Sequence, residues 1–431
     1  MRFLIMAVNL CRDPYPVYPL GMSVIASAVR SAGHEVKQFD LLSQGIERLG
    51  PLLHEFDPEF IGISIRNLDT VNSRSSNKNL IRTPAELLKF IRKESNAPVI
   101  LGGAGFSVLP NEVMKRIDAE YGIAGEGESA ILTLLDGKEH PHGLYHSASK
   151  YQAAPLYDPE ILDFYQKETH IIPIQTKRGC PFECAYCTYP GLEGHSIRER
   201  GTDSVLDQVE ELHEKYPDSM FYFVDAVFND PQKNFLTLLD GMEKRKMKPP
   251  FAAFLSPFML NEDEIIRMKE CGMIAAELGV DAASDETLAG LQKNFTFSEA
   301  AESSALLLKH KIGVTTNVMF GGPEETWETV EKGILNLRSL EPAYTLIFSG
   351  IRVYPGTPLY ERALAENKIP AGWDPLEELY YFADGINPEI LHQKLLAGFS
   401  GSTCCIYPPD AKNRELQTLH KFGYAKWRKL Q

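Results

Sequence analysis

Several features are missing from this 431-residue sequence, and each absence narrows what the protein can be. It has no run of about 18 apolar residues that could cross a bilayer, and its N-terminus has no small-residue cleavage site. Its 44 basic and 58 acidic side chains give a formal charge of -14, which disfavours binding to nucleic-acid phosphates and anionic lipids. We therefore expect a soluble, cytoplasmic protein with no membrane span and no nucleic-acid partner.

The sequence also lacks the even, well-spread set of cysteines that a secreted disulfide framework needs. It has seven cysteines, and three of them fall within residues 180–187. A reducing compartment fits this distribution better. We expect Cys11 and Cys271 to be packing residues, whereas the sequence leaves the roles of Cys404 and Cys405 open.

The N-terminal part, residues 1–137, alternates short apolar runs with helical patterns. This alternation predicts an α/β fold in which crossover helices join parallel strands. We expect an open, doubly wound (Rossmann-like) sheet that binds its ligand at the carboxyl ends of the strands, where the loops are polar or rich in glycine. The predicted strands lie near residues 2–8, 35–40, 60–65, 98–101 and 120–123.

The remaining sequence divides into three segments. The alternation is lost over residues 138–170, which we expect to be an interdomain linker. It returns over residues 171–360 and predicts a partial, six-stranded TIM-like barrel with its chemistry at the carboxyl ends of the strands. Residues 361–431 are predicted to be mostly helical. The predicted barrel strands lie near residues 171–176, 220–224, 251–255, 273–278, 313–319 and 346–351.

The most specific motif is TKRGCPFECAYC, directly after the first predicted barrel strand. Cys180, Cys184 and Cys187 have the spacing C-x3-C-x2-C, so one short loop can wrap three thiolates around an iron–sulfur cube and leave the fourth iron open. Lys177 and Arg178 would add positive charge beside the anionic cluster. The alternative is a zinc site in which His195 supplies the fourth ligand.

This motif resembles the defining motif of the radical S-adenosylmethionine (SAM) superfamily. The resemblance implies a [4Fe-4S] cluster on the three catalytic cysteines, with SAM bound through its amino and carboxylate groups to the open iron. One electron, from a donor such as flavodoxin or ferredoxin, then cleaves SAM to a 5'-deoxyadenosyl radical. Asp281 stands where the family usually has glutamate. The SAM contacts that the resemblance implies are Tyr186, Asp225, Glu277, Asp281, Gly321, Gly322 and Arg352.

A doubly wound domain before such a barrel resembles the cobalamin-binding subgroup of radical SAM enzymes, over residues 1–360. Ser64 and the pair Gly102 and Gly103 match two elements of cobalamin domains, but the histidine element D-x-H-x-x-G is absent. The resemblance therefore implies cobalamin held without a histidine ligand. The contacts that it implies are Ser64, Arg66, Asn67, Gly102, Gly103, Gly105, Phe106, Glu126 and Gly127.

Two further expectations concern this cofactor. Arg66 and Asn67 are predicted to face the lower side of the corrin ring, and the glycines after the fourth strand are predicted to let the ring and its tail approach the backbone closely. The alternative is a nucleotide-type doubly wound domain that holds no cofactor.

Together the resemblances imply a cobalamin-dependent radical SAM methyltransferase that acts on an unactivated carbon, or less readily on phosphorus, of a small metabolite or lipid intermediate. Two alternatives stay open: ring formation or rearrangement without methyl transfer, and a non-catalytic iron–sulfur sensor or scaffold. Some aromatic side chains near the C-terminus could form a substrate wall, although helix packing is their more ordinary use; they are Trp373, Tyr380, Tyr381 and Phe382.

Overall fold

A computed structural model describes residues 1–75, 80–147 and 152–414 of the chain. The basic stretch at residues 421–431 and the end of the predicted helical region lie outside these described residues. Within them, no helix is both long enough and apolar enough to span a membrane.

The N-terminal domain is built on a parallel sheet, as the sequence predicts. Its strands are β1 (Arg2–Ala7), β2 (Glu35–Asp40), β3 (Phe60–Ser64), β4 (Val99–Gly102), β5 (Tyr121–Ala124) and β6 (Gly143–His146). They are ordered β2-β1-β3-β4-β5-β6. The order reverses between β1 and β3, and this switch point is where open α/β sheets bind ligands.

Helices cover both faces of this sheet, so its strands are apolar on both sides. Along β1, Phe3 and Ile5 pack into one core while Leu4 and Met6 pack into another. The first core continues into the second domain, so the two domains share one apolar interior. The helices are α1 (Leu20–Ser31), α2 (Leu41–Gln44), α3 (Leu49–Phe56), α4 (Arg82–Glu94), α5 (Ala104–Val108), α6 (Pro110–Arg116) and α7 (Glu128–Leu134), with a 3-10 turn at Ile46–Arg48.

The second domain is a partial barrel, and its six predicted strands are all present. In chain order its first half comprises α8 (Pro159–Thr169), β7 (Ile171–Ile174), β8 (Lys177–Arg178), α9 (Tyr189–Glu193), β9 (Arg198–Glu199), α10 (Thr202–Lys215), β10 (Met220–Phe223), α11 (Asn234–Arg245), β11 (Phe251–Leu255), α12 (Glu262–Glu270) and β12 (Met273–Asp281). The remainder comprises α13 (Asp285–Gly290), α14 (Phe297–Lys309), β13 (Gly313–Phe320), α15 (Trp327–Ser339), β14 (Tyr344–Ser349), β15 (Ile351–Arg352), α16 (Pro358–Ala365), β16 (Tyr380–Tyr381), α17 (Pro388–Phe399) and β17 (Cys405–Ile406).

The barrel sheet is parallel, in the order β7-β10-β11-β12-β13-β14-β17. Its strands alternate between buried residues, which pack under the helices, and half-buried residues such as Tyr222 and Glu277. A strand has period two, so these half-buried residues share one face and point to the barrel interior. The interior therefore carries polar groups among its apolar ones.

Two expectations about irregular or helical segments are corrected. Residues 138–170 were expected to be a linker, but they supply β6 and α8, and β6 pairs with β5. The strand is short, half-buried and flanked by His and Pro, so it has no clear period. The C-terminal region also contains strands. β17 extends the barrel sheet beside β14, and Tyr380 and Tyr381 pair with β15 instead of lying on a helix.

Candidate functional site

A cavity of 480 Å³ lies between the strand ends of the N-terminal domain and the barrel. It therefore faces the switch point of the first sheet and the face of the second on which barrel enzymes keep their chemistry. Residues on the N-terminal side include Ser64, Arg66, Gly102, Gly103, Glu126 and Gly127. Residues on the barrel side include Gln175, Arg178, Glu193, Tyr222, Val224 and Phe254.

Six of the nine predicted cobalamin contacts line this cavity, and three do not. Phe106 is fully buried in the apolar core between α5 and the sheet, so it is a packing residue. Gly105 donates its backbone N–H to the carbonyl of Ile65 at 2.9 Å and belongs to the packing of two loops. Asn67 lies in that same contact and does not line the cavity.

The structure shows a packing reason for glycine at position 103. Gly103 has φ +98°, and a Cβ there would lie 2.6 Å from the carbonyl oxygen of Ile65. Glycine is therefore needed here for the close approach of the loops after β3 and β4, and Gly103 also lines the cavity. Gly102, which lines the cavity too, differs because the nearest atom to its would-be Cβ is 3.7 Å away.

Arg66 is the conspicuous cation of the cavity. Its side chain is exposed there, and it makes no hydrogen bond or ion pair with any residue in the described ranges. A guanidinium without a protein partner can interact with whatever fills the space in front of it.

A buried carboxylate, that of Asp225, holds the start of the cysteine loop (residues 176–187) through hydrogen bonds. Asp225 is fully buried and accepts hydrogen bonds from the backbone N of Thr176 at 2.7 Å, from the Thr176 hydroxyl at 2.5 Å and from the backbone N of Lys177 at 3.2 Å. Burial raises the pKa of Asp225. Both of its oxygens are used, so Asp225, predicted to contact SAM, supports the loop in this structure.

The two basic residues before the motif were expected to place positive charge beside the cysteines, but both form ion pairs elsewhere. Lys177 is buried and pairs with Asp230 at 2.6 Å. Arg178 reaches across the domain boundary to Glu128 at 2.8 Å and to Glu126 at 3.1 Å. Arg198 also pairs with Glu126. This ion-pair cluster joins a wall of the cavity to the start of the cysteine loop.

The tip of the loop depends on Gly179. This residue has φ +93°, and a Cβ would lie 2.1 Å from the carbonyl oxygen of Ser196. Next to it, Cys180 donates its backbone N–H to Gly194 at 3.0 Å, and on the other side Ala185 donates to Leu291 at 3.0 Å. The loop is therefore fixed between two segments of the barrel.

The three motif cysteines are free thiols, with Cys180 buried and Cys184 and Cys187 half-buried. Burial raises the pKa of Cys187 to about 12 and raises that of Cys180, so a metal must compete with protons for these sulfur atoms. In the described ranges no three His, Cys, Asp or Glu side chains converge on a single metal-ion position, and His195 is exposed. Ligands of an iron–sulfur cube each bind a different iron, so three thiols on one fixed loop fit such a cluster.

A lysine that the sequence did not single out lies beside these cysteines. The Nζ atom of Lys293 is 3.5 Å from Sγ of Cys184 and forms an ion pair with Asp281. Burial and the nearby Asp281 carboxylate raise the pKa of Tyr186. The structure thus brings the predicted SAM residues Tyr186 and Asp281 to the cysteines. Lys293 falls in the turn after α13, where no motif or period marks it.

Glu277 lies in the barrel interior. It accepts hydrogen bonds from the hydroxyl of Tyr222 at 2.8 Å and from the amide of Asn317 at 2.6 Å. Burial raises the pKa of Glu277. Because Tyr222 also lines the cavity, this carboxylate is one side chain away from the space between the domains.

The other predicted SAM residues have structural partners. Arg352 is 4% exposed and donates to Asp69 at 2.8 Å, to the carbonyl of Val353 at 2.6 Å and to that of Pro375 at 2.9 Å. Through its ion pair with Asp69, Arg352 connects the barrel to the N-terminal domain; we call this pair the interdomain clamp. Gly321 and Gly322 are buried, and their would-be Cβ atoms meet Phe382 at 2.9 Å and Ile351 at 2.7 Å.

The N-terminal domain and the barrel each match a known protein family. The B12 binding domain model matches residues 7–135, and the Radical SAM superfamily model matches residues 174–334. An uncharacterized methyltransferase of Pyrococcus horikoshii is 26% identical over 401 residues, 84% of this chain and 84% of its own length. The tryptophan 2-C-methyltransferase of Streptomyces laurentii is 23% identical over 427 residues, 79% of this chain and 71% of its own length.

Among solved structures, the fold is similar to that of the radical SAM methyltransferase TsrM from Kitasatospora setae, solved with cobalamin and a [4Fe-4S] cluster bound. The TM-score is 0.84 at 20% identity, over 99% of this chain and 97% of that one. This likeness confirms the predicted fold class, a doubly wound domain followed by a partial barrel.

Proposed function

We propose that the chain is a cobalamin-dependent radical SAM methyltransferase that acts on an unactivated carbon of a small metabolite or lipid intermediate, since its two halves match the B12 binding domain and Radical SAM superfamily models. The cavity between the domains carries this proposal, because it opens to the cobalamin-side strand ends and to the barrel face at once. Two cofactors that share one reaction must meet in such a space. When bound, the cluster and SAM supply a 5'-deoxyadenosyl radical and cobalamin supplies the methyl group.

The chain's own residues hold and orient these groups. Cys180, Cys184 and Cys187 would bind the cluster, on a loop fixed by Asp225. The ion pairs of Arg178 keep that loop against the wall of the cavity. Tyr186, Glu277 and Asp281 would contact SAM or the substrate at the barrel end. These roles follow from position and hydrogen bonding, and none requires a general base.

Carbon is the favoured acceptor for two reasons. The relative from Streptomyces laurentii is named for transfer to a carbon atom of tryptophan. The interior side of the cavity also presents the aromatic rings of Tyr222 and Phe254, whose centroids are 5.1 Å apart, and these can pack against a carbon skeleton.

The first test is anaerobic quantification of iron, sulfide and corrinoid in the reconstituted full-length chain. About four irons with one corrinoid per chain is the expected result. Four irons without corrinoid would reject methyl transfer. Cys184→Ala should lose iron, whereas the matched control Cys404→Ala, outside the motif, should keep it.

The second test supplies SAM with a deuterated methyl group, a chemical reductant and the small-molecule extract of the source cells. A deuterium-labelled product that forms only with reduced holoenzyme supports methyl transfer. The mass and chemistry of that product then show whether the methyl group was added to carbon or to phosphorus. A product without label would instead indicate ring formation or rearrangement. Neither product nor 5'-deoxyadenosine would indicate a sensor or scaffold. Adding flavodoxin or ferredoxin in place of the reductant tests the predicted electron donor.

A third test concerns Arg66, which we propose faces the lower side of the corrin ring. Arg66→Ala should change the visible absorption spectrum of bound cobalamin, because the environment of the cobalt changes. Arg30→Ala, on α1 outside this cavity, is the matched control. An unchanged spectrum in the Arg66 variant, at full corrinoid content, would contradict this role.

A further inference from the structure

Among the described residues, Lys293 is the charged side chain that donates a hydrogen bond to a sulfur atom of the cysteine motif. Its Nζ atom lies 3.5 Å from Sγ of Cys184, within hydrogen-bonding distance for sulfur, and it also pairs with Asp281. The Lys293 side chain is 9% exposed. The rings of Tyr186 and Phe295 lie 5.9 Å and 5.7 Å from Nζ and shield it further from water.

The other two cations of the loop, Lys177 and Arg178, form ion pairs with carboxylates away from the cysteines. Lys177 donates to Asp230 at 2.6 Å and to the carbonyl of Phe228 at 2.5 Å. Arg178 pairs with glutamates of the N-terminal domain. The field that these two cations exert at the cysteines is offset by their own partners. Lys293 also has a carboxylate partner, Asp281, but it differs from these two cations because it donates a hydrogen bond directly to Cys184.

We propose that Lys293 sets the reduction potential of the cluster bound by the cysteine loop. Hydrogen bonds to the ligand sulfurs, nearby charge and solvent exposure are what determine the potentials of iron–sulfur clusters. Reduction adds one electron from the external donor and breaks no bond, so a fixed positive charge and an N–H···S hydrogen bond stabilise the reduced form more than the oxidised form. The effect is strong here because the site is shielded from water and salt.

This role is one of positioning charge, not of catalysis. It rests on the proposed function only in taking the loop to hold a [4Fe-4S] cluster, and it does not depend on methyl transfer or on cobalamin. Asp281 fixes the ammonium group, since its carboxylate holds Lys293 while another N–H points to Cys184. The pair therefore places one defined donor at one defined sulfur.

The test is a redox titration of the anaerobically reconstituted full-length chain, followed by electron paramagnetic resonance of the reduced cluster, without SAM. In Lys293→Met we expect the ratio of reduced to oxidised cluster at a fixed solution potential to fall at least tenfold, which is a shift of about 59 mV for a one-electron couple. Lys293→Arg should remain close to the wild type. Lys332→Met, which breaks an exposed ion pair with Glu286 at 3.1 Å, is the matched control and should show no shift.

An unshifted potential in Lys293→Met, with normal iron and sulfide content, would overturn the proposal. If that variant fails to retain its cluster, Lys293→Gln replaces it, because glutamine is neutral and fits the polar site; a wild-type potential there would equally overturn the proposal. If the potential shifts in Lys293→Met but the wild-type chain transfers no methyl label, the role of Lys293 is supported and the methyltransferase proposal is rejected. A wild-type chain that binds no cluster would reject both.

Discussion

Removal of the Asp69 carboxylate should destabilise the contact between the two domains. Asp69 lies in the loop after β3 and accepts hydrogen bonds from Nε of Arg352 at 2.8 Å and from the hydroxyl of Tyr354 at 2.9 Å. The Asp69 and Arg352 side chains are each 3% exposed. Asp69→Ala would therefore leave a buried guanidinium without its counter-charge.

The expected magnitude follows from that burial. Breaking a buried ion pair by removing one partner destabilises a protein by about 3–5 kcal/mol, because the remaining charge has neither water nor a partner. Arg352 would keep its hydrogen bonds to the carbonyls of Val353 and Pro375. We therefore expect the lower end of the range, about 3 kcal/mol in the free energy of unfolding.

Urea denaturation of the full chain measures this loss. The control is Glu286→Ala, which removes an exposed partner of Lys332 and should change the free energy of unfolding by at most about 1 kcal/mol. The double variant Asp69→Ala with Arg352→Met should be more stable than Asp69→Ala alone, since no buried charge is left unpaired. If Asp69→Ala lowers the stability no more than Glu286→Ala does, the reasoning is refuted.

Two further predictions concern the cysteine loop and a buried carboxyl. Gly179→Ala would put a Cβ 2.1 Å from the carbonyl oxygen of Ser196, so iron and sulfide analysis should show a lost cluster, while Gly191→Ala, with nothing within 4 Å, should retain it. Burial raises the pKa of Glu325 from 4.5 to about 6, so the folded chain holds this proton more tightly than the unfolded chain. Stability should therefore fall by about 2 kcal/mol as the pH rises through that interval. The urea midpoint of Glu325→Gln should lack this fall; an identical pH profile would contradict the assignment.

The sequence predicts the strands and their ends well because that information is local. The six barrel strands and five of the N-terminal strands appear where expected, and most of them are apolar runs bounded by helical patterns. The cysteine motif is equally local, since its spacing and the strand before it lie within one short segment. In the two large sheets the strands that were not predicted are β6 and β17, which are short and lie at sheet edges, where few apolar residues are needed and no period develops.

The side-chain partners within the site could not be predicted, because they depend on contacts between distant segments. Asp69 and Arg352 are 283 positions apart, and Lys293 and Cys184 are 109 apart. A motif identifies which residue types stand at a strand end, but not whether a partner elsewhere in the chain already occupies them. In this structure Asp225 and Arg352, both predicted as SAM contacts, hydrogen-bond to the cysteine loop and across the domain boundary.

These partners change how the two cofactor regions can move. Arg178 stands directly before the cysteine motif, yet its ion pairs are with Glu126 and Glu128 of the other domain, and Glu126 also lines the cavity. A displacement of the cysteine loop would therefore have to break a largely buried ion-pair cluster, at a cost of several kcal/mol. The clamp between Asp69 and Arg352 adds a second such barrier. In the folded chain these two contacts therefore hold the cysteine loop and the barrel against the N-terminal wall of the cavity.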